Sequence, residues 1–217
     1  MYNSKEKGII VALDGISHKK ALKLANQLKG KVWGFKVNDL LYDKSEIIEE
    51  LKSLGNLFVD VKLYDIPNTV SNSVRRLSAR GADIITVHAS GGLEMMQVAK
   101  KNAGGSKIIA VTVLTSLLND SKDEVLRLAQ EAIEAQVDGI VCSGLELDSL
   151  SNLKGADKLL KVVPGIRPNG RVESDDQSRV VTAKQAFDLG ADYIVVGRPI
   201  TQAEDPLKVL EQMISKM

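Results

Sequence analysis

A recurring alternation constrains this chain more than any other feature. Short apolar runs recur along it, each followed by polar or amphipathic sequence. Eight runs read as strands: Ile9–Asp14, Val32–Asn38, Leu57–Leu63, Asp83–His88, Lys107–Leu114, Gly139–Ser143, Leu159–Val163 and Tyr193–Gly197. Helical stripes lie between most of them. Ala21, Leu24, Ala25 and Leu28 fall at i, i+3, i+4 and i+7, and Val125, Leu128, Ala129, Ala132 and Ile133 repeat the pattern. Ile47, Ile48, Leu51 and Leu54 form a third stripe. Gly30, Gly55, Gly81 and Gly190 stand where helices should stop. The phrase GADI at Gly81–Ile84 returns as GADYI at Gly190–Ile194, with a looser echo at Val137–Ile140. These are helix-to-strand junctions, too short to be an internal repeat. Such alternation over 217 residues predicts an α/β chain folded as a single-domain (β/α)8 TIM barrel. The rival is a doubly wound open sheet. It would favour a glycine-rich dinucleotide turn after the first strand, and Asp14-Gly15-Ile16-Ser17 is not one.

Composition narrows the function. Hydrophobic residues make up 44%, enough for a sizeable core, while the net charge of +1 and the dispersed basic residues give no support for a nucleic-acid partner. The opening MYNSKEKGIIVALDG holds one short apolar run containing an aspartate, which predicts neither a signal peptide nor a membrane span. The single cysteine, Cys142, rules out an internal disulfide, suits a reducing cytoplasm and reads as an inert buried thiol in mid-strand. The two histidines, His18 and His88, are far apart and give no zinc spacing.

The charged residues share a strand phase. Side chains alternate faces along a strand. In the third strand Leu57, Val59, Val61 and Leu63 make one face, and Phe58, Asp60 and Lys62 the other. In the second, Trp33, Phe35 and Val37 oppose Gly34, Lys36 and Asn38; in the first, Ile9, Val11 and Leu13 oppose Ile10, Ala12 and Asp14. The apolar odd positions should face the helices, Trp33 among them as packing. The even positions then face the barrel axis, with charge toward the C-terminal ends where barrel enzymes keep their chemistry. Burying an ion costs several kcal/mol that pairing only partly offsets. Asp14, Lys36, Asp60 and Lys62 on one inner rim therefore point to a site rather than to a structural salt-bridge network. Asp65 is out of this phase; taken alone it reads as a turn or capping residue before Ile66-Pro67. His88 reads on the outward phase, with a hydrogen bond inside the core favoured over a place in the site.

The stretch Asp60-Val61-Lys62-Leu63-Tyr64-Asp65-Ile66-Pro67-Asn68-Thr69 resembles the D-x-K-x-x-D-I-P-x-T motif of the orotidine 5′-phosphate decarboxylases. The likeness runs along nearly the whole chain. It takes in Ala12-Leu13-Asp14, Phe35-Lys36-Val37, Thr86-Val87-His88-Ala89 and Val113-Leu114-Thr115-Ser116. It continues through Pro164-Gly165-Ile166-Arg167, Asp176-Gln177 and Val196-Gly197-Arg198-Pro199-Ile200-Thr201. One departure is visible: Asn38 stands where the family usually has glycine after F-K-V.

The resemblance implies loss of CO2 from orotidine 5′-monophosphate, a small nucleotide, without a metal or any other cofactor. It implies that Asp60 sits beside the leaving carboxylate, that Lys62 stabilises the carbanion and protonates it, and that Lys36 and Asp65 complete an alternating charge array. It further implies a homodimer in which Asp65, Ile66 and Thr69 serve the neighbouring subunit's site. Asp14 is then expected to meet the ribose hydroxyls, and Thr115 or Ser116 the pyrimidine amide edge. Pro164, Gly165, Arg167, Gln177, Gly197 and Arg198 are expected around the phosphate, in the loops after strands seven and eight. Arg171 has no comparable pattern and reads as loop charge. Two rivals stand against this. One is a metal-dependent sugar-phosphate enzyme of the same superfamily, which would carry an acid where Lys36 stands. The other is an inactive phosphate-binding scaffold, against which the intact Asp60, Lys62 and Asp65 argue.

Overall fold

The computed structural model describes residues 7–115, 122–168 and 179–217. β1 (Gly8–Ala12) leads to α1 (His18–Leu28), β2 (Gly34–Val37) to α2 (Leu40–Asp43) and α3 (Ile47–Lys52), and β3 (Asn56–Leu63) to α4 (Pro67–Ala79). β4 (Ile84–His88) is followed by α5 (Leu93–Lys101), β5 (Lys107–Val111) by α6 (Lys122–Glu134), and β6 (Gly139–Val141) by α7 (Leu147–Ser151). β7 (Leu160–Val163) leads to α8 (Ala183–Asp188), and β8 (Tyr193–Val196) to α9 (Arg198–Thr201) and α10 (Pro206–Ser215). The strands are parallel, pair in chain order and close into a barrel. Closure is made by β8 against β1, from Gly8 beside Tyr193 to Val11 beside Val196, which excludes the open sheet.

The two apolar phases separate as their spacing requires. Ile9, Val11, Leu13, Phe35, Val37, Leu57 and Val59 join the core between barrel and helices. Ile10, Ala12, Phe58, Ile84, Ile109, Val162, Tyr193 and Val195 fill the barrel interior. From the other side, α1 buries Ala21, Leu24, Ala25 and Leu28, and α6 buries Val125, Leu128, Ala129 and Ala132.

The echoed G-A-D phrase has a physical cause. Asp83, Asp138 and Asp192 each enter a new strand, and each carboxylate accepts the backbone N–H of a residue in the preceding strand. The donors are Leu57 at 2.7 Å, Ile108 at 2.8 Å and Lys161 at 2.8 Å. The three aspartate N–H groups return bonds to the carbonyls of the same three residues. Lys52 and Lys100 neutralise two of these carboxylates at 2.7 and 2.6 Å. The glycine of the phrase does separate work: Gly81 has φ +100, a conformation other residues adopt only under strain, and it turns the chain out of α4.

Several strands end sooner than the apolar runs do. β1 stops at Ala12 rather than Asp14, β5 at Val111 rather than Leu114, and β6 at Val141 rather than Ser143. Ladder partners run out at the rim, so Asp14 and Thr115 belong to loops over the barrel mouth. Cys142 lies just past β6, not within it, and is fully buried; that burial pushes its thiol pKa up. Trp33 also departs from expectation. β2 begins only at Gly34, so the alternation does not extend to Trp33. The indole packs instead on Tyr193 at the inner cluster, with ring centroids 4.9 Å apart. Gly34 itself must lack a side chain, since a Cβ there would lie 2.1 Å from the Asn56 carbonyl oxygen.

Candidate active site

Three neighbouring strands deliver the charged residues to one mouth. The Lys36 ammonium pairs with Asp14 Oδ2 and stands 3.2 Å from Asp60 Oδ2. Lys62 Nζ donates to the same Asp60 oxygen at 2.8 Å. The order along the rim is acid, base, acid, base. Lys36 and Asp60 are each only 7% exposed, so the attraction between them is weakly screened. Burial alone would push the Asp60 carboxyl up. The Lys36 and Lys62 cations, with hydrogen bonds from Lys62 and Thr86, outweigh it and hold the carboxyl below its ordinary value. Burial likewise works against the Lys36 ammonium, and the Asp60 and Asp14 charges outweigh that and raise its pKa. Asp14 Oδ1 is buried and has no hydrogen-bond partner among the described residues, an acceptor left open.

β3 is not regular where it carries this chemistry. Val59 pairs with Ile85 but Leu63 pairs with Val87, so four steps along β3 match two along β4. Within that break Lys62 has φ +47. A left-handed backbone at a non-glycine residue costs about 1–3 kcal/mol and persists only where its surroundings impose it.

The mouth opens into a cavity of about 510 Å³, within the range of small-molecule sites. Its walls include Asp14, Lys36, Asp60, Lys62, Thr115, Pro164, Gly165, Arg167, Gly197 and Arg198. Asp65, Ile66 and Thr69 do not line it; they are exposed on the outer surface, with the Asp65 carboxylate accepting the Ile66 N–H at 2.7 Å. Ile66, not Asp65, holds the N-cap position of α4, and Pro67 begins the helix. Ser116, Gln177 and Arg171 lie outside the described residues. Among the described residues, no cluster of His, Cys, Asp and Glu side chains is arranged to hold a metal.

His88 requires a correction. It shares its strand phase with Ile84 and Thr86, and Ile84 belongs to the inner cluster. Its ring lies 6.0 Å from the Tyr64 ring, edge to face. Burial, reinforced by the Lys62 charge, lowers its pKa.

Two residues that the sequence shows without a role touch the array. Thr86 Oγ1 donates to Asp60 Oδ1 at 2.9 Å and accepts the Lys62 N–H at 2.8 Å. Asn38 Nδ2 donates to the Asp60 backbone carbonyl at 2.5 Å. The signal for Thr86 was present: alternation carried through β4 puts it inward with Ile84.

A family model described as "Orotidine 5'-phosphate decarboxylase / HUMPS family" matches residues 7–213. The chain is 40% identical to the orotidine 5′-phosphate decarboxylase of Pseudomonas fluorescens strain Pf0-1, over 96% of this chain and 97% of that one. It is 38% identical to the enzyme of that name from Saccharophagus degradans, over 99% and 97%. Among solved structures, orotidine 5′-phosphate decarboxylase from Lactobacillus acidophilus superposes with a TM-score of 0.82 at 34% identity, covering 97% of this chain and 99% of that chain. With its closed barrel and its ordered charges, the chain belongs to the orotidine 5′-phosphate decarboxylase / HUMPS family.

Proposed function

We propose that this charged mouth decarboxylates orotidine 5′-monophosphate to uridine 5′-monophosphate and CO2, the step that yields the pyrimidine nucleotide. One observation carries the reading: a single buried oxygen, Asp60 Oδ2, faces both Lys36 and Lys62. Breaking the C6–carboxylate bond leaves an electron pair in an sp² orbital that the pyrimidine π system cannot take up. Fixed charges must therefore do the stabilising. The Asp60 charge repels the substrate carboxylate, and that repulsion is relieved as CO2 departs. The Lys62 ammonium attracts the developing carbanion and then gives C6 its proton. Lys36, held between Asp14 and Asp60, keeps the acid ionised and fixed in place.

Binding follows from the same walls. The open acceptor at Asp14 suits a ribose hydroxyl. Thr115, or Ser116 beside it, meets the pyrimidine amide edge. Pro164, Gly165, Arg167, Gln177, Gly197 and Arg198 form the phosphate end. There the guanidinium of Arg198 and backbone N–H groups at the glycines suit a dianion. Phosphate binding far from C6 would be spent on organising the charged array. The site is completed by a second copy of the chain, in which Asp65, Ile66 and Thr69 reach across. Support comes from their exposure away from their own cavity: Ile66 is 67% exposed and the neighbouring Tyr64 66%. A reducing cytoplasm suits the lone buried thiol of Cys142.

The metal-dependent sugar-phosphate reading is the weaker one, because Lys36 sits among the acids that would have to hold the cation. Following substrate ultraviolet absorbance in excess EDTA decides between them. Turnover of orotidylate should be unchanged by the chelator. Complete loss of turnover, restored by magnesium, would favour the metal enzyme.

A further inference from the structure

Asp60 and Lys62 lie at the break in β3, and that break lacks the ladder bonds that hold an ordinary strand. Four residues of β3 span the length of two in β4. Among the described residues only two non-glycine positions have positive φ, Lys62 and Gln136. Gln136 occupies an exposed turn after α6. Lys62 is inside a strand, where nothing in the local sequence calls for such a backbone. Something outside β3 must impose it.

Two neutral side chains stand where the ladder fails, Thr86 on β4 and Asn38 just past the end of β2. On the β4 side, the Thr86 hydroxyl is used twice. It accepts the Lys62 N–H at 2.8 Å and donates its own proton to Asp60 Oδ1 at 2.9 Å. Thr86 is fully buried, so water does not compete for either bond. On the β2 side, Asn38 Nδ2 takes the Asp60 backbone carbonyl at 2.5 Å. One consequence is chemical. With Oδ1 committed to Thr86, the carboxylate offers Oδ2 to both ammonium groups, at 3.2 and 2.8 Å. The hydroxyl thus sets the rotation of the acid and the backbone of the base together.

We propose that Thr86 and Asn38 are positioning residues, a clamp from both sides of β3 that holds its break and so fixes Asp60 and Lys62 in register for decarboxylation. The clamp rests on the activity proposed above but is readable without it. Asn38 gains a purpose from this: the side chain that replaces a glycine supplies the donor on the β2 flank.

The test uses Thr86→Val, which keeps the shape and removes the hydroxyl, Thr86→Ser, which restores it, and Asn38→Ala. A misplacement of about 1 Å can cost on the order of a hundredfold in rate. Thr86→Val should therefore lower kcat about 10- to 100-fold with KM changed less than about threefold, and Thr86→Ser should recover most of the loss. Asn38→Ala, at a half-buried site, should lower kcat by about tenfold in the same pattern. Amide hydrogen exchange at Lys62 reads the clamp independently of turnover: it should speed up in Thr86→Val and return toward wild type in Thr86→Ser. Wild-type turnover run alongside separates the two readings, since failure of the wild type refutes the activity and leaves exchange to judge the clamp. The clamp is overturned by unchanged Lys62 exchange in Thr86→Val. It is equally overturned by a serine variant as impaired as the valine, or by kcat within twofold of wild type in both Thr86→Val and Asn38→Ala.

Discussion

Replacing Lys36 by methionine tests the array at its most buried cation. The side chain keeps its length and loses its charge. Asp60 then retains Lys62 and Thr86 but loses the attraction that contributes most to holding it ionised. Asp14 Oδ2 loses its ammonium partner, although that side chain is 37% exposed and water recovers part of the cost. Removing one partner of a buried ion pair costs about 3–5 kcal/mol, and the residual partners and exposure here bring the expectation to about 2–4 kcal/mol. For a chain of this size each kcal/mol moves Tm by about 2–4 °C, so a fall on the order of 10 °C is expected at pH 7. The pH profile adds a sign. Asp60 titrates below its ordinary value in the folded state, so its stabilisation is present above the unfolded carboxylate pKa and fades as pH falls through the folded one. Lys36 titrates above its ordinary value, so its contribution holds below the unfolded lysine pKa and fades as pH rises through the folded one. In Lys36→Met the alkaline loss should vanish, and the acid loss should begin at a higher pH than in wild type. Thermal denaturation followed by circular dichroism across pH 3 to 11 measures both limbs, and a steady-state assay should find kcat/KM reduced at least a hundredfold. A variant as stable as wild type, with the same acid limb, would refute the claim that Lys36 and Asp60 are coupled through a poorly screened interior.

Two further expectations rest on separate features. Asp65→Ala mixed with Lys62→Ala should recover activity that neither variant shows alone, because hybrid dimers would carry one intact shared site; no recovery after verified subunit exchange would count against the shared site. Asp138→Ala should lower stability by about 1–3 kcal/mol while leaving kcat near wild type, since it orphans the Ile108 N–H and frees Lys100 far from the mouth; chemical denaturation measures it, and an unchanged midpoint would show that the junction bonds are replaceable.

The barrel was legible because period and order are properties of the sequence. The two apolar phases of β1 to β3 sorted onto the two faces as alternation requires, and the helix stripes buried as spaced. The four charges were legible for the same reason, since an ion on the inward phase has few physical excuses. Legibility failed where the strands stop being regular. Trp33 precedes the first residue of β2, so the strand's alternation does not set its face even though its N–H still bonds the Ile9 carbonyl. Cys142 and Asp14 continue apolar runs that read as strand, yet both lie past the ends of β6 and β1. His88 lies on a regular strand, and alternation counted from Ile84 puts it inward. The role of Thr86 is not legible in sequence, because a buried hydroxyl looks inexpensive until the groups it serves are known.

The break in β3 explains why a D-x-K spacing can work at all. On a regular strand, residues two apart stand side by side on one face, about 7 Å apart, and a lysine would extend parallel to its neighbour rather than toward it. Turning the backbone left-handed at Lys62 brings its ammonium back to 2.8 Å from Asp60. Inserting two residues relative to β4 lets Leu63 regain the ladder opposite Val87, so the distortion ends where the chemistry ends. The charges also limit their own cost. Each ion in the rim has an opposite neighbour, so although burial alone would raise the Asp60 pKa, the Lys36 and Lys62 charges outweigh it and leave the acid more firmly ionised. A carboxylate held ionised beside a lysine, in the cavity at the barrel mouth, is an unfavourable place for a second carboxylate and a favourable one for a carbanion. The local strain and the functional preference therefore have one origin: a strand bent out of register to set an acid and a base side by side.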